Sequence, residues 1–286
     1  MQPGRRYVLT LSCPDQVGIV AAVSGFFAEL GGWIVEADNH ADQVGERFFL
    51  RHEVTAESLP FGRDELMRRF TPLAERFGMT WQITDTEHRK RVVLMVSRQE
   101  HCLYDILGRW QSGELAVDIP CVISNHTDLR DIVTWHGIPF QLVEVERDAK
   151  DAAFRRMHEI VKDAGADAVV LARYMQILPQ WLCEAYPNRI INIHHSFLPS
   201  FVGARPYHQA YDRGVKLIGA TCHYVTADLD AGPIIDQDVI RIDHSDTVED
   251  YVRYGKDIEK TVLARGLRYH LEDRVLVHGR RTVVFR

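Results

Sequence analysis

Residues 191–200 are of types that could carry out acyl chemistry. They read Ile-Asn-Ile-His-His-Ser-Phe-Leu-Pro-Ser, which places Asn192, His194, His195 and Ser196 within five positions of one another. An amide, two imidazoles and a hydroxyl at this density can orient a carbonyl, stabilise charge on its oxygen and move a proton. We interpret the segment as part of an active site.

A second polar cluster follows a later apolar stretch. Residues 217–225 predict a strand, and the turn after it holds Asp230 directly before Ala-Gly-Pro, where its carboxylate can be held rigidly. Strand side chains alternate between faces, so Asn192 and His194 are expected to share one side of their own strand. There the amide and the imidazole would stabilise a developing oxyanion, while Asp230 would move a proton, directly or through His194.

Each of these residues also has a structural interpretation. Asn192 could cap a turn, and His194 could be a core histidine bonded to backbone. The combination of both with Asp230 favours a catalytic role. Asp228 is a rival carboxylate in the same turn, whereas His195 is expected on the opposite face of the strand in a structural role.

Three further polar residues lie close to these clusters. His223 could support the site from behind the reacting groups. Asp236 and Asp238 share one face of a predicted strand and are expected to be solvated. The spacings match no usual zinc ligand set, so we predict no metal site.

Bulk properties limit the class of protein. The length of 286 residues suggests two domains, and the composition, 46% hydrophobic and 26% charged, is ordinary for a globular protein. The net charge of −6 gives no general attraction to nucleic acid or to an anionic membrane. No signal peptide or membrane span is evident, and the five cysteines are scattered. We therefore expect a reduced, cytoplasmic protein without disulfides.

The N-terminal part predicts the order βαββαβ. Strands are expected at 7–11, 33–37, 47–54 and 80–83, and helices at about 19–30 and 64–77, with Asp15 as N-cap of the first helix. This order is the ferredoxin-like plan. The polar segment 84–91 is interpreted as a linker between domains.

Beyond this linker the pattern changes to apolar strands alternating with helices. Strands are expected at 92–96, 117–124, 168–172, 189–193, 217–225 and 234–242. Helices are expected at 101–111, near 128–136, at 151–164, after Pro179, and over 246–271. Continuous apolar strands of this kind indicate an α/β domain with a parallel sheet covered on both faces.

Two motifs carry a family resemblance. Asn-Ile-His followed by Ser and Leu-Pro-Ser at 192–200, and Leu-Asp-Ala-Gly-Pro-Ile-Ile at 229–235, resemble the folate-dependent formyltransferase family. The family's catalytic Asn, His and Asp fall on Asn192, His194 and Asp230. The resemblance implies that residues 91–286 form a Rossmann-like formyltransferase domain with a mostly parallel sheet.

The resemblance also implies a folate pocket. Residues 173–178 look like the family segment that holds the pterin, and 226–230 look like the loop that closes the other side of the pocket. The substrate-binding residues implied are Met175, Ile177, Leu178, Ser196, Gly203, Thr226, Ala227 and Asp228.

Further segments are similar to the deformylase members of this family, which carry an ACT domain. These are 203–211, 218–221, 101–103 and 124–130, together with 13–20 and 47–51 in the N-terminal part. The similarity implies an ACT domain at 6–85, a homo-oligomer (dimer or tetramer), and an amino acid effector at Asp15, Gln16, Val17 and Gly18. The alternative is that this domain mediates oligomerisation alone.

The activity implied is hydrolysis of 10-formyltetrahydrofolate to tetrahydrofolate and formate, which would supply formate for purine biosynthesis and balance the folate pools. Family members that formylate a ribonucleotide carry a glycine-rich phosphate loop, whereas segment 97–103 here has no glycine. Members that formylate tRNA carry a further C-terminal barrel, which is not expected here. Folate would be the substrate, with no cofactor. Two alternatives remain: a formyltransferase with an unidentified amine acceptor, and a non-catalytic regulator that binds folate or an amino acid.

Overall fold

The structure is a computed structural model that describes residues 4–199 and 206–286. The described chain divides into two compact units. The first comprises the chain up to Arg89 together with Glu272–His278 and Val283–Arg286. The second comprises the described part of Lys90–Leu271 together with Gly279–Thr282.

The first unit has the predicted βαββαβ order. Its elements are β1 (Arg6–Pro14), α1 (Ile19–Glu29), β2 (Ile34–Asp42), β3 (Arg47–Thr55), a 3-10 turn (Ala56–Ser58), α2 (Arg63–Phe77) and β4 (Thr80–Asp85). The strands form an antiparallel sheet in the order β2-β3-β1-β4. The ferredoxin-like prediction is therefore confirmed, and a core that includes Phe27, Leu50 and Phe70 joins the helices to the sheet.

The start of α1 differs from the prediction that Asp15 caps it. Gly18 takes the N-cap position with φ +96°, a left-handed conformation that glycine adopts without a steric penalty, and no side chain of the described residues caps the helix. The Asp15 amide instead donates to the Glu46 carbonyl. The prediction of a helix from the apolar spacing is confirmed, since Ile19, Val23 and Phe27 are buried on one side of α1.

The second unit alternates strands and helices. Its elements are β5 (Val92–Val96), α3 (His101–Gln111), β6 (Val122–Ser124), α4 (Arg130–Trp135), β7 (Phe140–Leu142), α5 (Lys150–Asp163), β8 (Ala168–Leu171), α6 (Gln180–Ala185), β9 (Ile190–His194), α7 (Pro206–Arg213), β10 (Leu217–Tyr224), β11 (Ile234–Arg241) and α8 (Val248–Leu271). The sheet order is β11-β10-β9-β8-β5-β6-β7. Strands β9 to β7 are parallel, and β10 is antiparallel to both neighbours, so the expectation of a mostly parallel sheet is confirmed.

Several elements depart from their predicted limits. Of the strand expected at 117–124, the last three residues form a strand, β6. An isolated bridge joins Asp118, earlier in this segment, to Arg91. Strand β4 continues to Asp85, into the segment interpreted as linker. Strand β7, helix α7 and the C-terminal pair β12 (Val275–His278) and β13 (Arg281–Val284) were not predicted. All are short, and short elements show too little periodicity to be recognised.

Helix α8 is the longest helix of the described residues and carries Gly255 and Glu259 on its buried side. It packs against β9, β10 and β11 and buries Val262, Leu263, Gly255 and Glu259. In the described part of the chain, no helix has the length and apolar composition needed to cross a membrane.

Candidate active site

The end of β9 lies beside β10 and is fixed by a buried threonine. In the antiparallel register Asn192 is opposite His223, and His194 is opposite Thr221. Thr221 Oγ1 donates to the Ser196 carbonyl at 2.9 Å and accepts from the Leu198 amide at 3.1 Å. The hydrogen bonds of Thr221 thus position the backbone that follows the two candidate catalytic residues.

Asp230 reaches the same place from a tight turn. Its φ is +53°, a conformation that Asp tolerates better than most residues. A β-carbon on Gly232 would lie 1.8 Å from the Tyr224 carbonyl oxygen, so the return of the chain against β10 requires glycine here. Asp230 Oδ2 lies 3.3 Å from His194 Nδ1. The structure therefore brings the predicted histidine and carboxylate into contact.

The surroundings of Asp230 keep its carboxylate ionised. Burial acts to raise its pKa, but the hydrogen bond from His194 and the charge of that imidazole outweigh burial and hold the pKa below its ordinary value. A carboxylate that is ionised at neutral pH can accept a proton from water.

His223 holds the Asn192 amide and lies near the carboxylate. Its Nδ1 lies 2.9 Å from the Tyr224 carbonyl, which can only accept, so Nδ1 carries the hydrogen. Its Nε2 therefore accepts from Asn192 Nδ2, at 3.1 Å, and lies 3.7 Å from Asp230 Oδ1. Burial lowers the pKa of His223. The neutral ring fixes the direction of the Asn192 amide.

Two groups are left to donate to a substrate oxygen: the Asn192 amide, and His194 when both of its ring nitrogens carry hydrogen. The Asn192 amide nitrogen has two hydrogens and uses one on His223. His194 Nε2 is buried and has no hydrogen-bond partner among residues 4–199 and 206–286. Together with the Asp230 carboxylate, these groups provide two sites for an oxyanion and one acceptor for a proton.

A cavity of about 650 Å³ opens onto these groups. Asn192, His194 and Asp230 line it, as do the predicted folate residues Met175, Ile177, Leu178, Thr226 and Ala227. The predicted residues Ser196 and Asp228 are not among the lining residues, and Gly203 lies outside the described residues. The volume suits a drug-sized ligand.

The segment that carries Met175 is held by a buried polar chain. Ser97 Oγ accepts from the Met175 amide at 3.0 Å and donates to Asn125 Oδ1 at 2.7 Å. Arg173, with φ +63°, is buried and donates through Nε to Gln99 Oε1 at 2.9 Å. The segment that contains Arg173 and Met175 is therefore bonded to the segment that follows β5, and the two form one wall of the cavity.

Two expectations about single residues are wrong. His195 was expected on the opposite side from His194, but it lines the same cavity, because β9 ends at His194 and the alternation ends with it. Asp236 was expected to be solvated, but it is buried in an ion pair with Arg265. The second contact of Arg265, with Asp238, is 3.2 Å long.

The predicted effector residues lie between β1 and α1 of the first unit. Gln16 Nε2 donates to the Phe77 carbonyl at 3.5 Å, and Val17 is fully exposed. The Gly18 carbonyl accepts the first hydrogen bond of α1 from the Ala22 amide. The segment is accessible, and its ligand stays a prediction.

Known proteins resemble this chain over almost its whole length. Residues 90–267 match the family described as formyl transferase. The formyltetrahydrofolate deformylase of Bacillus subtilis is 49% identical over 97% of this chain and 93% of its own length. The crystal structure of a formyltetrahydrofolate deformylase from Pseudomonas syringae is 60% identical, with a TM-score of 0.98, over 100% of this chain and 96% of that one. A glycinamide ribonucleotide transformylase from Symbiobacterium toebii is 31% identical, with a TM-score of 0.66, over 70% of this chain and 95% of that one.

Proposed function

The chain belongs to the formyl transferase family and, within it, to the formyltetrahydrofolate deformylases, and on this premise we propose that it hydrolyses 10-formyltetrahydrofolate to tetrahydrofolate and formate. The observation that carries the mechanism is the contact of His194 Nδ1 with Asp230 Oδ2 at 3.3 Å in a cavity that Asn192 also lines. The folate is the substrate, and the proposed steps use side chains of this chain.

In the first step a water molecule attacks the formyl carbon. The Asp230 carboxylate, held by His194, accepts one proton of the water as the new carbon–oxygen bond forms. Because its pKa is held below the ordinary value, Asp230 is ready to accept that proton at neutral pH.

Charge then develops on the formyl oxygen, and two donors stabilise it. The free hydrogen of the Asn192 amide and the unpartnered Nε2 of His194, when protonated, both come from the end of β9. Donors that are already aimed stabilise the tetrahedral intermediate without reorganising. His223 keeps the Asn192 amide in that orientation.

Collapse of the intermediate breaks the bond between the formyl carbon and N10. N10 takes up the proton that water lost, through Asp230 and His194, and leaves as the secondary amine of tetrahydrofolate. The formyl carbon leaves as formic acid, which carries the oxygen and the second proton of water and releases that proton to solvent to become formate. Atoms and protons balance without a second acceptor.

The folate is proposed to lie between the two segments predicted for it. Met175 and Ile177 are more than half exposed on one wall, and Leu229 is exposed on the other. Exposed apolar side chains at a cavity mouth are suited to a flat aromatic ring. Ser196, Asp228 and Gly203 remain predicted members of this site.

The direct test is the purified protein with 10-formyltetrahydrofolate and no added amine. Tetrahydrofolate is followed by absorbance and formate by a coupled assay. One formate per tetrahydrofolate is expected. If folate binds but no formate forms, hydrolysis is wrong and a transferase with an amine acceptor becomes the better assignment.

For the N-terminal region, 6–85, we propose a regulatory ACT domain that pairs chains into a homo-oligomer and binds an amino acid at 15–18, while 91–286 carries catalysis. The antiparallel sheet in the order β2-β3-β1-β4 and the exposed loop at Val17 support this proposal. Equilibrium dialysis of the full chain with glycine and methionine tests the effector. If the chain binds neither amino acid but forms a homo-oligomer in solution, oligomerisation alone is the role of the N-terminal region.

A further inference from the structure

A buried charged cluster adjoins the candidate active site. Glu259 is 1% exposed and lines the cavity from α8. Its Oε2 lies 2.7 Å from His101 Nε2 and 3.3 Å from Arg173 Nε, and its Oε1 accepts from the Tyr207 hydroxyl at 2.5 Å. Both carboxylate oxygens are therefore occupied.

Part of this cluster has the residue types and the spacing of a metal site. The ligand atoms of His101, Cys102 and Glu259 lie within 4.8 Å of one another. However, the Arg173 guanidinium is paired with the same carboxylate, and burial raises the pKa of the Cys102 thiol, which keeps it protonated. A cation would have to displace an internal ion pair, so we interpret the cluster as a fixed wall of the cavity.

His195 lies between this cluster and the catalytic pair. Its ring centroid is 5.2 Å from that of His194 and 6.2 Å from that of Tyr207. The backbone directly after it is held by Thr221, through the Ser196 carbonyl and the Leu198 amide. The ring therefore lies in the cavity beside His194, the residue that contacts the carboxylate proposed to deprotonate water.

The charges around His195 keep its ring neutral. Burial and then the Arg173 cation lower the pKa of His195 to about 3, and Glu259 and Asp230 oppose this only in part, while His194 adds to the lowering. A neutral imidazole carries one nitrogen that can accept a hydrogen bond. An imidazolium could not accept one.

We propose that His195 is a further catalytic residue that binds the attacking water and so makes water the formyl acceptor. The proposal rests on the proposed hydrolysis. As the oxygen of water bonds to the formyl carbon, one of its protons passes to Asp230. The other stays on that oxygen and is donated to the acceptor nitrogen of His195.

Hydrolysis needs such a residue for a physical reason. A water molecule has no substituent through which an enzyme can hold it, whereas an amine acceptor can be held by the rest of its molecule. Two hydrogen-bond acceptors, Asp230 and His195, would fix both hydrogens and point a lone pair at the carbon. The internal pairing of Glu259 with Arg173 keeps those two charges from competing for the water.

The test compares water with a small competing nucleophile. Wild type, His195→Asn and His195→Gln react with 10-formyltetrahydrofolate in the presence of hydroxylamine, and formate and formyl hydroxamate are both quantified. The control is His158→Asn, because His158 bonds to Tyr186 and is not among the residues that line the cavity. Tetrahydrofolate binding confirms that each variant is folded.

We expect formate production by His195→Asn to fall at least tenfold, because proton transfer from water to Asp230, which contributes about 10²–10⁴, requires a correctly oriented water. The ratio of hydroxamate to formate should rise at least tenfold, because hydroxylamine does not depend on His195. In His195→Gln the amide oxygen reaches further from the backbone than in His195→Asn, so formate production should lie between that variant and wild type. His158→Asn should match wild type.

Two outcomes would overturn the inference. Formate and hydroxamate that fall together would place His195 in general support of the site, and formate production equal to wild type with an unchanged ratio would remove it from the reaction. Wild type that releases no formate would instead refute hydrolysis itself, so the two failures are distinguishable.

Discussion

Gly255 and Tyr207 are packed so closely that a β-carbon on Gly255 would lie 2.1 Å from Cζ of the tyrosine ring. This contact seats the ring against α8 and lets its hydroxyl donate to Glu259, one turn further along the helix. The absence of a side chain at one helical position thus sets the geometry of the charged cluster beside His195.

Gly255→Ala is expected to force the Tyr207 ring away from Glu259. Overpacking of this kind costs about 1–3 kcal/mol, which urea unfolding would measure, and hydrolysis should slow as the wall beside His195 shifts. The matched control is Gly108→Ala in α3, where a β-carbon meets no atom within 4 Å. That change should leave stability equal or raise it by about 0.5–1 kcal/mol. Equal effects of the two substitutions would contradict the contact.

Asp230→Asn and His194→Ala should each lower kcat by roughly 10²–10³ while folate still binds, because each removes a group that acts in the transition state. Steady-state kinetics and tetrahydrofolate binding measure the two effects separately. Asp228→Asn, at an exposed residue that is predicted to bind folate, should act on KM and change kcat little. A larger loss in Asp228→Asn than in Asp230→Asn would reverse the assignment of the two carboxylates.

His223→Leu is expected to release the Asn192 amide and lower kcat about tenfold, less than the loss on removing an oxyanion donor outright. The KM should stay near wild type, because His223 only positions Asn192. A double-mutant cycle with Asn192→Ala checks this, since the second substitution should add little once the amide is gone. Additive losses would show that His223 acts independently of Asn192.

His52 should make the stability of the first unit depend on pH. It shares the core-facing side of β3 with Phe48, Leu50 and Val54, and neither ring nitrogen has a partner within the described residues. Burial lowers its pKa from 6.5 to about 4. The unfolded chain therefore takes up a proton below pH 6.5 that the folded unit takes up only near pH 4.

The free energy of unfolding is therefore highest above pH 6.5, where His52 is neutral in both states. It falls by about 3 kcal/mol as the pH drops to 4. Urea unfolding of the full chain at pH 7.5 and 4, for wild type and His52→Leu, measures it, because the other titrating groups cancel in the difference. Wild type should lose more free energy of unfolding than the variant. Equal losses would show that His52 is already paired or accessible.

Much of the fold and the outline of the site could be predicted because the signals are local. The two-residue period of strands and the apolar spacing at Ile19, Val23 and Phe27 depend on neighbours along the chain. The same holds for the end of a strand at Asn192 and His194, and for the turn at Asp230. Short elements such as β7 could not be predicted, because three residues are too few to show a period.

The sequence by itself therefore determined the two kinds of unit, the strand end that carries Asn192 and His194, and the turn that carries Asp230. Only the tertiary structure decided that His223 orients Asn192, that His195 faces the cavity, and that Glu259 meets His101 across 158 positions of sequence. The physical reason is that these contacts form between elements. Their distances follow from how β9, β10 and α8 pack, and no repeating pattern within one element encodes that packing.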